Sequence, residues 1–201
     1  MPFFPPLHKA DSLLHIVGPA QNGKSLEEAF DLFLCPPYFP VTLDQLAGTV
    51  TFEEATKDPI ELGAATVIAR DVPHVGPTIG FRIEAGGRSV AYVSDHQMPG
   101  CLSTVVNDSV LELCDGVDLL IHDAQYTDRE FAEKFDWGHC TTDYAVEVAV
   151  QSGAKSLALY HHDPSHDDDT VEELARLAGV ASALRSGPEV FAASEGLMLD
   201  L

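Results

Sequence analysis

The sequence predicts a layered α/β protein built on a mixed sheet. Two observations carry this: strand and helix patterns alternate through the second half, and a hairpin pattern dominates the middle. No linker and no internal repeat divides the 201 residues, so residues 1–201 are expected to form a single domain.

In chain order, "SLLHIVG" (Ser12 to Gly18) is a short strand closed by Gly-Pro. "SLEEAFDLFL" is a helix whose cap Ser25 stands three residues before Glu28, the capping-box spacing, with Leu26, Phe30 and Phe33 on one face. Pro36-Pro37 stops it. "GTVTFEEA" and "AATVIARDV" are strands, and "TIGFRIEAGGRSVAYVSD" is a hairpin in which Ile79, Phe81 and Ile83 alternate with polar residues before the Gly86-Gly87 turn. "GVDLLIHDA" is a continuous apolar strand, and "TDREFAEKF" opens a helix with a Thr127/Glu130 capping box. "TTDYAVEVAVQSGA" is a helix with Ala145, Val148 and Ala149 inward, and "KSLALYHH" is a strand buried on both faces. "DDDTVEELARLAG" is a helix with aspartates in its first turn, where the macrodipole favours anions. "EVFAA" and "GLMLDL" close the chain as strands.

Eleven Lys and Arg face 32 Asp and Glu, a formal net charge of −21. Such a field repels polyphosphate backbones and anionic membranes, so neither nucleic acid nor membrane is an expected partner. An acidic excess also serves solubility. No apolar run approaches the ~20 residues of a membrane span, and "MPFFPPLHKADSLL" lacks the pattern of a secretory leader. Cys35, Cys101, Cys114 and Cys140 show no C-x-x-C spacing, which argues against a zinc ribbon and for a reduced, cytoplasmic setting.

Four strands end directly at His or Asp: His74, Asp95 with His96, His122 with Asp123, and His161 with His162. Singly, an Asp there is ordinarily a turn residue and a His a loop residue. Loops leaving one edge of a sheet gather into one place, however, and imidazoles with carboxylates suit Zn²⁺ and related ions. A carboxylate can also bridge two metals about 3.5–4 Å apart. His139 in "WGHCTTDYAVEVA" precedes a helix N-terminus, where the dipole disfavours imidazolium; paired with Asp123 it is a candidate general acid. The other reading of His139 is a helix-capping residue packed under Trp137.

Together these segments resemble the metallo-β-lactamase superfamily, in its ribonuclease Z-like and cyclic-phosphate phosphodiesterase branch. "PHVGPTIGFRIE", "AYVSDH", "LLIHDAQYT", "WGHCT" and "LYHHDPSH" follow the family's motifs in the family's order. The resemblance implies an αββα sandwich with mixed sheets. It implies His74 as ligand of one metal, Asp95 as bridge, and His161 as ligand of the second. His161 is preferred to His162 because the family ligand stands three residues before the proline, here Pro164. His139, steadied by Asp123, would donate the proton, and Cys140 replaces the family's usual Ser. The implied cofactor is Zn²⁺, two in a complete family site, with Mn²⁺ or Fe as alternatives. The acidic charge favours a small anionic ester over tRNA as partner, and a bared sheet edge would favour a homodimer.

One departure is large. The family's His-x-His-x-Asp-His string is absent from the sequence, and "MPFFPPLH" resembles the segment that follows it in relatives. The chain is therefore expected to be N-terminally incomplete, with the first hairpins of the fold absent, a sheet edge bared, and activity impaired. His8 and His15 fall outside any ligand spacing. A non-catalytic protein of the same fold and a lactone or thioester hydrolase are the competing functions.

Overall fold

The structure is a computed structural model that describes residues 5–201; residues 1–4, part of the "MPFFPPLH" segment, lie outside the described residues. Chain contacts divide it into two compact units, Met1–Thr56 and Lys57–Leu201.

In the first unit, a 3-10 turn (Pro5–His8) precedes β1 (Leu13–Gly18), which pairs in parallel with β2 (Thr49–Glu54). Parallel partners need a crossover, and α1 (Leu26–Phe33) lies within it. The predicted box is present: Glu28 N donates to Ser25 Oγ at 3.1 Å, and Ser25 N to Glu28 Oε2 at 2.7 Å. Leu26 is buried and Phe30 meets Phe52 with ring centres 5.1 Å apart, whereas Phe33 is 75% exposed and does not belong to the buried face. His15 is a strand residue tied to Thr51 and Glu53.

The second unit is a seven-stranded sheet in sequence order: β3 (Ile60–Leu62), β4 (Ala65–Asp71), β5 (Ile79–Ala85), β6 (Arg88–Val93), β7 (Leu119–Asp123), β8 (Ser156–Tyr160) and β9 (Glu189–Ala192). The first four pair antiparallel and the rest parallel, as the mixed-sheet expectation requires. β4 and β6 both run against β5, so β4, β6, β7 and β8 point one way and their C-terminal ends share one edge. The β5–β6 turn is the predicted Gly86-Gly87, with φ of 59° and 79°, values that suit glycine in a two-residue turn.

Between strands run α2 (Asp108–Cys114), α3 (Asp128–Glu133), α4 (Thr142–Ser152) and α5 (Asp168–Leu184). One apolar core joins Val110, Leu113, Leu120, Leu157, Leu159 and the fully buried Ala145, Val148 and Ala149 of α4. In β5 the tightly buried position is Gly80, where a Cβ would lie 2.7 Å from the Leu113 side chain; Ile83, expected inward by alternation, is 40% exposed.

Two further differences have plain causes. α2 and the three-residue β3 went unread because both are short and neither carries a long periodic pattern. "GLMLDL" is not a strand: Gly196 sits at φ 81°, Leu197 N turns back to Ser194 O at 3.2 Å, and Met198 is 91% exposed with no ladder partner. Among the described residues no helix is long and apolar enough to cross a membrane.

Candidate metal centre

The shared C-terminal edge collects the residues the sequence singled out. His74 follows β4, Asp95 follows β6, Asp123 ends β7, and His161 follows β8. His139 lies two residues before Thr141, the N-cap of α4. Their ligand atoms form two groups, His74–Asp95–His139 and Asp123–His139–His161, each with all donor atoms within 4.8 Å of one another. His139 is the member common to both. His74 Nε2 lies 3.6 Å from Asp95 Oδ1. The His139 ring stacks on His161 at 4.8 Å and meets His74 edge-on at 5.4 Å.

Asp123 is fully buried and its carboxylate accepts three hydrogen bonds: Oδ2 accepts from His139 Nδ1 at 2.8 Å and from His96 N at 3.0 Å, and Oδ1 from Gln125 N at 3.1 Å. Burial alone would push the His139 pKa down, but the hydrogen bond and charge of Asp123, with the charge of Asp95, outweigh it and the pKa is raised. This corrects the expectation of an imidazole kept neutral by the helix dipole; a carboxylate in contact wins over a dipole end two residues away. Trp137 is 61% exposed, with the Lys134 ammonium over its ring, so it does not bury His139.

Behind Asp123 lies a buried imidazole pair. His122 Nδ1 stands 2.7 Å from the Asp123 carbonyl, which can only accept, so Nδ1 carries the proton and Nε2 accepts from His96 Nδ1 at 2.9 Å. Burial, reinforced by His122, holds the His96 pKa well below its usual value, and burial likewise lowers that of His122. Cys140 is buried, its thiol donating to the Asp123 carbonyl at 3.0 Å, and burial pushes its pKa well up; it is no nucleophile.

The run "HHDPSHDDD" separates by role. His161, at φ 58°, belongs to the donor group and sits 2.9 Å from the Gln125 amide, whereas His162 belongs to neither group. Asp163 accepts from Lys134 at 2.8 Å, His166 meets Glu130 at 2.9 Å, and Asp167 caps α5.

Sequence reasoning did not single out Gly138, Gln97 or Gln125. Gly138 adopts φ 100°, and a Cβ there would lie far inside van der Waals contact distance of His74 Cε1 and Nδ1. "WGHC" holds that signal, a glycine beside a candidate site histidine, whereas nothing in the sequence marks Gln97.

The donor chemistry fits divalent cations: three imidazoles and two carboxylates converge in the two groups. Gln125, its amide able to present either O or N to His161 Nδ1, suits the outer partner that orients a histidine ligand. His74 fits with a proviso of tautomer. Its Nδ1 accepts from Val75 N at 2.6 Å, so a neutral ring carries its proton on Nε2, toward Asp95.

Residues 3–162 match the family model of the β-lactamase superfamily domain, and the chain belongs to the metallo-β-lactamase superfamily. It is 30% identical over 139 residues to a ribonuclease Z of Halobacterium salinarum, covering 69% of this chain but only 38% of that protein. In fold it is similar to the metallo-β-lactamase fold protein YhfI of Bacillus subtilis, with TM-score 0.65, 20% identity, and coverage of 93% of this chain and 65% of that one. The short form of human tRNase Z is similar at TM-score 0.51 and 25% identity, over 77% of this chain and 62% of that one.

Proposed function

We propose that this chain is a metal-dependent hydrolase, a dizinc phosphodiesterase acting on a small or cyclic phosphate ester. The observation that carries the reading is the meeting of five donor side chains from separate segments at one sheet edge, with His139 common to both groups. His74 would hold one ion and His161 the other, with Asp95 between them; Zn²⁺ suits these donors, and Mn²⁺ or Fe can use the same set. Divalent ions there supply Lewis acidity and stabilise negative charge developing on phosphoryl oxygens. Asp123 fixes His139 through Nδ1, so the proton given to a leaving oxygen comes from Nε2. With His139 and Asp123 given to proton transfer, three side chains remain for two ions, fewer than three apiece, so turnover by this chain alone is expected to be low.

The family match crosses the boundary between the two compact units, which supports reading residues 1–201 as one domain. The relatives bear ribonuclease names, yet a net charge of −21 works against a polyanionic partner, and a small ester is the better match. Four free cysteines support a cytoplasmic setting. A second reading, a non-catalytic relative with a weak metal site, draws on the Val75 hydrogen bond that occupies His74 Nδ1.

The test loads the protein with Zn²⁺, measures bound metal by mass spectrometry, and compares hydrolysis of bis(p-nitrophenyl) phosphate, an acyl lactone and an RNA transcript. Bound zinc with preferential phosphodiester hydrolysis is expected. Bound zinc without turnover on any substrate favours the second reading. Well under one ion per chain sinks both.

A further inference from the structure

We propose that Gln97 is the positioning residue that sets the His74 and His139 loops against Asp95. The inference rests on the metal-binding reading of the site.

Gln97 follows Asp95 by two residues and bonds to the segments that carry His74 and His139. Its main-chain N donates to Pro73 O at 2.7 Å, immediately before His74. Its side-chain Oε1 accepts from Gly138 N at 2.7 Å, immediately before His139. Its Nε2 donates to Phe135 O at 2.7 Å and to Met98 O at 2.9 Å. Met98 N in turn donates to His139 O at 3.2 Å, so residues 97 and 98 clamp residues 138 and 139 side by side.

The chemistry of the amide is specific. One end meets an N–H and the other meets two carbonyls, so the group cannot be reversed without setting oxygen against oxygen. A carboxylate at Nε2 would face the carbonyls of Phe135 and Met98, and an apolar side chain would leave the Gly138 N–H and the Phe135 carbonyl without partners. Gly138 is also the residue whose missing side chain makes room for the His74 ring. By holding Gly138 N, Gln97 fixes the surface against which that ring rests, and so reaches His74 through both Pro73 and Gly138. A ligand set from separate loops has no local sequence to hold its spacing; this amide supplies it.

Gln97→Leu and Gln97→Glu are compared with wild type and with Val117→Ala, a core truncation just before β7, at the opposite end of the sheet from the donors. Co²⁺ affinity and its visible absorption are the first readout. The second is the position of the Gly138 amide and His74 ring resonances in metal-free protein by NMR. Both Gln97 variants are expected to bind Co²⁺ about 10- to 100-fold more weakly with an altered spectrum. Both are also expected to shift the Gly138 and His74 resonances, while Val117→Ala loses thermal stability yet binds Co²⁺ as wild type does. Wild-type affinity in both Gln97 variants overturns the proposal. If wild type takes up no Co²⁺, the metal-binding reading falls, and unmoved Gly138 and His74 resonances in the variants overturn the role of Gln97 separately.

Discussion

The imidazole of His74 occupies the place where a side chain on Gly138 would begin. A Cβ at residue 138 would overlap Cε1 and Nδ1 of that ring and lie 3.1 Å from Nε2, on a backbone with φ 100°. Two loops distant in sequence are thus interlocked by an absence of atoms. Gly138→Ala is expected to cost about 1–3 kcal/mol in backbone strain and to displace His74 from Asp95. Thermal unfolding checks the first effect and zinc content the second; a variant that keeps wild-type zinc would show that the interlock is dispensable.

Three hydrogen bonds converge on the buried Asp123 carboxylate. Its oxygens take N–H groups from His139, His96 and Gln125. In Asp123→Asn one oxygen becomes an NH₂ that opposes a donor, so the variant is expected to lose about 1–3 kcal/mol of stability. Phosphodiester turnover should fall by roughly 10²-fold or more as His139 loses its support. Chemical denaturation and steady-state rates measure the two.

At the opposite edge of the sheet, Asp118 accepts from Lys155 at 2.9 Å and from Ser89 N at 2.8 Å. The Lys155 hydrogen bond, then that of Ser89, holds its carboxyl well below the usual carboxylate range against the opposing effect of burial. A lowered folded-state pKa contributes stability that is present above the unfolded value of about 3.9 and is lost as pH falls toward the folded one. Asp118→Asn should therefore lower the melting temperature at neutral pH and weaken the acid side of the stability profile. Equal melting temperatures for the two proteins from pH 7 to pH 3 would contradict this.

Thr141 caps α4, its Oγ1 accepting from Tyr144 N at 3.1 Å, two residues beyond His139. Thr141→Ala is expected to cost about 1 kcal/mol by loss of the cap. Because Met98 N and the Asp123 carboxylate hold His139, zinc affinity should change far less than in Gly138→Ala. Calorimetry of zinc binding on both variants provides the comparison.

The donors were legible because strand exits leave a local mark: an apolar run broken by His or Asp, as in "LALYHH" or "VAYVSDH". Caps and turns were legible for the same reason, since Ser25, Thr127 and Gly86-Gly87 act within a few residues. What stayed hidden is non-local. Gln97 bonds to residues 73, 135 and 138, and no spacing rule connects those positions. Nor could periodicity reveal that Gly80, rather than Ile83, faces the core, because the choice depends on α2 laying Leu113 there. The final "GLMLDL" carries strand propensity, yet one glycine turn at Gly196 takes it off the sheet.

The Gly86-Gly87 turn sits at the far end of β6 from Asp95, separated by the six strand residues Arg88–Val93, roughly 20 Å of extended chain, and Ser94. No heavy atom lies within 4 Å of where a side chain would start at either glycine. That tip is accordingly a natural handle: an affinity peptide grafted there would tether the protein to a surface with its donor-bearing edge turned outward, open to whatever solutes flow past.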